Sequence, residues 1–212
     1  METDDLIARL SENLAPARPH AVLRVLGTGL LLGLIAASIL LQMTLRFRHN
    51  LAAELFMPAF WVKLAYTSAL ALLGLWIVER QSRPGTDSGK LFWLLIAPPL
   101  ALALLALWQM SAPGADPRAL MMGQTARVCS TLILILSLPI FAGVFWAMRR
   151  LAPTRLTLAG ASAGMLAGAA GAALYCFHCP EMAAPFILVW YSLGILLPTA
   201  LGAALGRWVL RW

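Results

Sequence analysis

The chain has 212 residues, of which 61% are hydrophobic and only 12% are charged, and its formal net charge is +7. A soluble domain of this size needs far more charge to cover its surface, so that class of protein is excluded. Apolar stretches of about 20 residues recur, long enough to cross a bilayer core of about 30 Å as helices. The alternating pattern of a membrane β-barrel is absent from the sequence, so we predict an all-α integral membrane protein.

The first twenty residues, METDDLIARLSENLAPARPH, are the one sizeable segment outside the apolar stretches, and we predict an acidic amphipathic helix there. Asp4 and Asp5 suit the positive end of a helix dipole. The predicted apolar stripe consists of Leu6, Ile7, Leu10 and Leu14. Because interfacial membrane helices are usually basic, we expect this acidic helix to dock in a groove of a cytoplasmic protein instead. A disordered or self-docked tail is the alternative.

Six apolar segments follow, and they predict that residues 21–212 form one transmembrane domain. Polar joints such as ERQSRPGTDSGK and RRLAPTR separate the segments. The predicted spans are residues 23–45, 59–78, 91–110, 128–148, 157–175 and 185–206. Pro98 and Pro99 lie inside the third span, where we expect a kink packed against neighbouring helices rather than a broken span.

The distribution of Lys and Arg predicts that both termini are cytoplasmic. With the amino terminus inside, eleven basic residues fall in cytoplasmic segments and four in outer segments. The outer four are Arg46, Arg48, Arg118 and Arg127. Since this bias accounts for most of the net charge, we predict no direct contact with nucleic acid.

Two features inside the predicted spans concern charge and packing. Lys63 is the only charged residue well inside a span, near its outer end, and we expect its side chain to extend to the membrane interface. Gly160, Gly164 and Gly168 form a row that lets another helix approach closely. We expect that helix to belong to the same chain, and contact between copies in a homo-oligomer is the alternative.

The joint between the fifth and sixth spans reads YCFHCPE and concentrates candidate ligands and redox groups. Cys176, His178, Cys179 and Glu181 lie within six residues, and Cys129 begins the fourth span at the same predicted outer face. The Cys-x-x-Cys spacing is typical of redox pairs and of half a zinc site, but no βαβ pattern accompanies it. A metal site drawn from these five residues, a disulfide from Cys129 to Cys176 or Cys179, and buried thiols without chemistry all remain open.

The predicted position of these thiols at the outer face determines which compartment they meet. In a bacterium the outer face is an oxidising compartment, and we expect the thiols to be reached from it without crossing the bilayer. No loop is long enough to hold a soluble catalytic domain, so we do not expect an enzyme.

The chain resembles a known family over nearly its whole length. The segments that carry the resemblance are TDDLIARL, RRLAPTRLTLAG, LYCFHCPEMAAPFILVWY and the terminal LRW. They resemble the NrsF family of bacterial inner-membrane anti-sigma factors, which restrain an extracytoplasmic-function sigma factor until a stress signal releases it. The resemblance implies that Cys129 and Cys179 are the two family cysteines. It places His178, Pro180 and Glu181 in the same motif and leaves Cys176 outside it.

The expected function is therefore that of a multi-pass anti-sigma factor of the bacterial inner membrane. We expect it to sequester its sigma factor and to release it on oxidative or heavy-metal stress. The expected sensing residues are Cys129, Cys179, His178 and Glu181, and Cys176 ranks behind them. A soft or borderline metal ion at Cys129, His178 and Cys179 is one form of that sensing, and membrane lipids are expected further partners. A small membrane transporter or a thiol-redox membrane protein that uses the same cluster is the alternative.

Overall fold

The computed structural model describes residue 3 and residues 20–46, 48, 51–83 and 89–211 of the chain. Secondary structure in this described part is helical and includes no strand. The helices are α1 (Ala21–Thr44), α2 (Leu51–Glu54), α3 (Pro58–Gln81), α4 (Gly89–Leu94), α5 (Ala97–Met110), α6 (Pro117–Met122), α7 (Ala126–Met148), α8 (Leu156–Tyr175), α9 (Ala184–Phe186), a π-helix (Ile187–Tyr191) and α10 (Ser192–Val209). The predicted docking segment, residues 1–20, lies outside the described residues apart from Thr3 and His20.

Six helical stretches among the described residues are long and apolar enough to cross a membrane. They are Ala21–Thr44, Pro58–Gln81, Leu91–Met110, Pro117–Met148, Leu156–Tyr175 and Ala184–Val209. Each contains one of the six predicted spans almost entirely, which confirms an all-helical architecture with six such helices. The fourth stretch begins earlier than predicted because the short helix α6 precedes α7. The Asp116 side chain caps α6 by accepting a hydrogen bond from the Arg118 N–H.

The third stretch, Leu91–Met110, still counts as one span as predicted, but the expected kink is a break in the helix. Helix α4 ends at Leu94, a turn follows, and α5 begins at Ala97. Pro98 and Pro99 occupy the first turn of α5, where a missing backbone N–H leaves no helical hydrogen bond unmade. This stretch has the smallest buried share of the six, so it lies at the edge of the bundle and little packing opposes the break.

Helix α8 lies at the centre of the bundle and packs against α10, α3 and α7. Its Gly-rich and Ala-rich sequence removes the side chains that would keep neighbouring backbones apart. A Cβ at Gly160 or Gly164 would overlap the backbone of α10, and one at Gly168 would overlap the Pro198 side chain. The prediction that this row packs within the chain is confirmed. These three glycines are therefore not available as a surface for a homo-oligomer.

The bundle has two distinct ends. The loop end gathers the last turns of α1, α5 and α8 and the first turns of α3, α7 and α9. At the opposite, terminal end, three Arg guanidinium groups lie over Trp rings. These pairs are Arg80 with Trp76 at 5.5 Å, Arg150 with Trp146 at 4.2 Å and Arg207 with Trp208 at 5.5 Å. Such aromatic and basic pairs are typical of a membrane interface.

Candidate cysteine site at the loop end

The loop of residues 176–183, between α8 and α9, is bound by the ends of several helices. The Nδ1 atom of His178 lies 3.0 Å from the backbone oxygen of Arg46, just beyond α1. Immediately after the loop, the Ala184 N–H donates to the Gln109 side chain in α5 at 2.8 Å. The His178 ring is thus engaged with the end of α1.

Glu181 binds the turn that precedes α7. One carboxylate oxygen accepts from the Gln124 N–H at 2.7 Å, from the Thr125 N–H at 3.2 Å and from the Thr125 hydroxyl at 3.3 Å. Gly123 adopts a φ of +47°, and a Cβ there would overlap the Glu181 carboxylate, so this glycine makes room for it. The negative charge of Glu181 also lies at the amino end of α7, where it interacts favourably with the positive end of the helix dipole.

The Glu181 contacts hold the loop directly above the first turn of α7, where Cys129 lies. Cys129 and Cys179 belong to one buried cluster, both are free thiols, and the two thiols lie next to each other. The Thr125 hydroxyl lies 3.9 Å from the same sulfur. The structure therefore brings together two cysteines that lie fifty residues apart in the sequence.

Cys176 has a different environment from Cys179. Its thiol donates to the Ala172 carbonyl at 3.3 Å and lies 3.8 Å from the Thr67 hydroxyl. Burial raises the pKa of Cys176 to about 11. In contrast, the neighbouring Cys129 thiol holds the pKa of Cys179 below its usual range, although burial alone would raise it. Cys179 is thus the thiol that ionises more easily of the two.

The three thiols are closed off from solvent by the protein itself. Each of Cys129, Cys176 and Cys179 has a relative exposure of 0%. Access to the thiols from the outer face without crossing the bilayer stays a prediction. Because all three sulfurs are buried, a reagent would need a local opening of the surrounding residues to reach them.

The Lys63 side chain was predicted to extend to the membrane interface, and that prediction is wrong. The side chain is fully buried, and its Nζ donates to the Cys179 carbonyl at 2.9 Å and lies 3.3 Å from the Glu181 carbonyl. The loop leaves these carbonyls pointing inward without helical partners, and the ammonium satisfies them. The sequence signal for this role was available, because an isolated charge inside an apolar span marks a functional or structural site.

Tyr191 is a member of the site that sequence reasoning missed. Its side chain is fully buried beside the sulfurs of Cys176 and Cys179, and its hydroxyl forms no well-shaped hydrogen bond. It ends the π-helix Ile187–Tyr191, which adds a residue to the turn and changes the direction of the side chains that follow. A π-helix of this length has no signature in the residue pattern, so Tyr191 read as an ordinary apolar-span tyrosine.

A metal site was one expectation for this cluster. In the part of the chain that the structure describes, no group of three or more His, Cys, Asp or Glu side chains is arranged to hold an ion. His178 faces the end of α1 and Glu181 the turn before α7, so neither joins the two thiols. The site as it stands is a pair of thiols with a neighbouring ammonium and a tyrosine hydroxyl.

Comparison with known proteins decides the family. The family model described as "NrsF: Negative regulator of sigma F" matches residues 10–212. This chain belongs to that family. Two curated relatives align over 100% of both chains: the "Probable anti-sigma-F factor NrsF" of Azospira oryzae is 41% identical over 213 residues, and the "Anti-sigma-F factor NrsF" of Caulobacter vibrioides is 40% identical over 219. No solved structure matches the chain.

Membership in the NrsF family identifies a negative regulator of a sigma factor. The role is regulatory rather than catalytic, as the lack of room for a catalytic domain led us to expect. Family membership also favours the anti-sigma function over the transporter or thiol-redox alternative, because the relatives are named as anti-sigma-F factors.

Proposed function

We propose that this chain is an integral protein of the bacterial inner membrane that holds an extracytoplasmic-function sigma factor inactive and releases it under oxidative or heavy-metal stress. The relatives' names point to sigma F as the type of partner. The single observation that carries the sensing step is that the buried thiols of Cys129 and Cys179 lie next to each other.

Placement in the membrane is supported by three independent features. Six helical stretches have sufficient length and hydropathy, most of the large exposed side chains are apolar, and arginines pair with tryptophans at the terminal end. The excess of Lys and Arg in the segments of that end favours a cytoplasmic position for it, with the cysteine site at the periplasmic face. Exposed apolar surface of this extent is expected only where lipid covers it.

We assign retention of the sigma factor to the acidic segment of residues 1–20. Its predicted apolar stripe supplies anchors for a groove, and its acidic residues favour a basic protein surface over an anionic leaflet. Sigma factors use basic surfaces to contact DNA, so an acidic helix seated there would block that contact.

The chemistry that this geometry favours is disulfide formation between Cys129 and Cys179. A peroxide can supply the oxidising equivalents: the two S–H bonds break, one S–S bond forms, and the two hydrogens and two electrons reduce the peroxide to two waters. Two adjacent thiols suffice for this step. A soft metal ion captured by the same two thiolates would act on the same pair of sulfurs.

Transmission to the terminal end would use the helices that carry the cysteines. Cys129 lies in α7, which packs against α1, and Cys179 follows α8, which packs against α10. Closely packed helices move as rigid units, so a bond at the loop end can change the arrangement of the terminal end. Moving such an equilibrium from 1:99 to 99:1 requires a preference of about 5.5 kcal/mol, whereas a disulfide contributes about 2–4 kcal/mol. The resting bundle must therefore lie close to its releasing state.

Co-purification of the cognate sigma factor from membranes tests retention. Replacement of Leu6, Ile7 and Leu10 by Ser should release the sigma factor, because each buried anchor contributes about 1.5–3 kcal/mol. Ala8→Ser, on the side of the predicted helix opposite the apolar stripe, is the matched control and should retain it. Equal recovery of the sigma factor with the triple variant would assign the contact to the cytoplasmic loops and overturn the docking proposal.

A further inference from the structure

Lys63 is a fully buried cation at the centre of the loop end. It lies in the second turn of α3, and its ammonium donates to the Cys179 carbonyl at 2.9 Å and lies 3.3 Å from the Glu181 carbonyl. Its Nζ also lies 5.6 Å from the centroid of the Phe60 ring, which shields it further from water. A buried charge is costly unless an opposite charge or several hydrogen-bond acceptors balance it.

The groups that surround the ammonium show what can balance it. The titratable groups near it are Cys129, Cys176, Cys179 and Arg48. The Arg48 guanidinium is already paired with the Glu54 carboxylate. The Glu181 carboxylate is directed to the turn before α7, so the residue meets Lys63 through its backbone oxygen. Three of these four neighbours are therefore thiols, and the negative charge that they can offer is that of a thiolate.

Hydrogen-bond donors select Cys179 among these thiols. The Cys129 thiol, the Glu181 backbone N–H and the Lys63 ammonium all lie near its sulfur, and the Thr125 hydroxyl lies 3.9 Å from it. Donors and a nearby cation both stabilise a thiolate over a thiol. The thiol of Cys176 instead donates to the Ala172 carbonyl, an arrangement that requires it to keep its proton.

We propose that Lys63 is a positioning residue of the cysteine site: it holds the turn of residues 179–181 so that the Cys179 sulfur meets Cys129, and its charge stabilises Cys179 as the thiolate that reacts first. The proposal rests on the proposed role of the cysteine pair as the switch. It adds to that role a residue from a third helix, so α3 takes part in the site together with α7 and the loop after α8.

Alkylation of Cys179 by iodoacetamide tests the inference on the full-length protein in detergent. The rate is measured over a pH range of about 5 to 10, and mass spectrometry separates the peptides of Cys129 and Cys179. Lys63→Met removes charge and donors, Lys63→Gln keeps donors without the charge, and Lys63→Arg keeps both. We expect the Met and Gln variants to shift the midpoint upward by about one pH unit, a tenfold slower reaction below it, and the Arg variant to remain close to the wild type.

Val62→Ala is the matched control, because Val62 is adjacent on α3 but lines a pocket with α5. It should leave the midpoint unchanged. A folded Lys63→Gln variant with the wild-type midpoint would show that the charge has no part in the site. If the variants do not fold, ultraviolet titration of the wild type against Cys179→Ser provides the test. The absence of a Cys179 thiolate signal below the ordinary thiol pKa would then overturn the proposal.

The outcomes also separate this inference from the proposed function. A shifted midpoint in Lys63→Gln, together with normal sigma release in Cys129→Ser and Cys179→Ser, would support Lys63 as a positioning residue and refute the switch. An unshifted midpoint with loss of release in the serine variants would refute the inference and support the switch.

Discussion

The charged side chains of the loop end bind backbone groups rather than one another. Lys63 donates to a backbone carbonyl of the loop, and Glu181 accepts backbone N–H groups from the turn before α7. Both residues lie where the chain leaves helical structure inside a packed bundle, so its backbone groups would otherwise lose water without gaining a partner. These two side chains therefore pair backbone groups that would otherwise be buried without a hydrogen-bond partner, and the thiols lie among these contacts.

The first prediction at the residue scale concerns the thiols. Cys129→Ser and Cys179→Ser should each abolish peroxide-induced release of the sigma factor, because a serine cannot form the second half of a disulfide. Cys176→Ser should respond almost as the wild type does, since its thiol bonds to its own helix. A sigma-dependent transcriptional reporter measures the response. Normal induction in both of the first two variants would make the cysteines packing residues and place the sensor elsewhere.

The second residue-scale prediction concerns the Glu181 cap. Glu181→Ala should lower the free energy of unfolding of the bundle by about 1–3 kcal/mol, because the N–H groups of Gln124 and Thr125 lose a charged acceptor. Glu181→Gln keeps an acceptor and should lose only the charge contribution, about 0.3–1 kcal/mol. Melting followed by circular dichroism in detergent ranks the two. Equal losses for Ala and Gln would show that the charge alone matters.

At the scale of elements, α8 and the π-helix determine where the site lies. The small residues of α8 let α10 approach its backbone, and the π-helix before α10 carries Tyr191 to the cysteine sulfurs. Just beyond it, Ser192 shares a hydrogen bond of 2.6 Å with Tyr66 of α3. The last helical stretch is thus attached to α8 by close packing and to α3 by a polar contact.

The prediction at this scale tests the close approach. Gly164→Val should destabilise the bundle by about 1–3 kcal/mol or more, because its side chain would overlap the backbone of Pro198. Gly27→Ala is the matched control, since a Cβ at that exposed glycine meets nothing within 4 Å. Thermal melting of the two variants should show a loss for Gly164 and little change or a slight gain for Gly27. A neutral Gly164 variant would mean that α8 and α10 separate without cost.

At the scale of the whole molecule, charge and aromatic side chains distinguish the two ends. Arginines paired with tryptophans mark the terminal end, and the buried cysteines together with Lys63 mark the loop end. The predicted orientation follows from this asymmetry, because positively charged segments remain on the cytoplasmic side during insertion.

Reporter fusions test the orientation. A fusion at residue 86 should show cytoplasmic activity, and one at residue 115 should show periplasmic activity, because the excess of Lys and Arg lies on the terminal side. Paired reporters, one active on each side of the membrane, provide the control for expression. The reversed pattern would place the cysteine site in the cytoplasm and remove the argument for an oxidising environment.

The sequence by itself determined the six helical stretches, their order and the importance of the segment YCFHCPE. The length of an apolar stretch and the spacing of polar joints are local properties, so they can be recognised in the sequence without knowing which helices pack together. The divided third stretch escaped prediction because two prolines suit a helix start as well as a kink. The π-helix escaped for the related reason that its extra residue leaves the apolar pattern unchanged.

The tertiary structure alone decided which groups meet. It placed Cys129 against Cys179 and left Cys176 to its own helix, a choice that spacing had left open. It also buried Lys63 beneath the loop, where single-sequence reasoning expected it to reach the interface. The physical reason is the same in each case: burial and hydrogen-bond partners depend on segments that lie tens of residues apart, and packing brings those segments together.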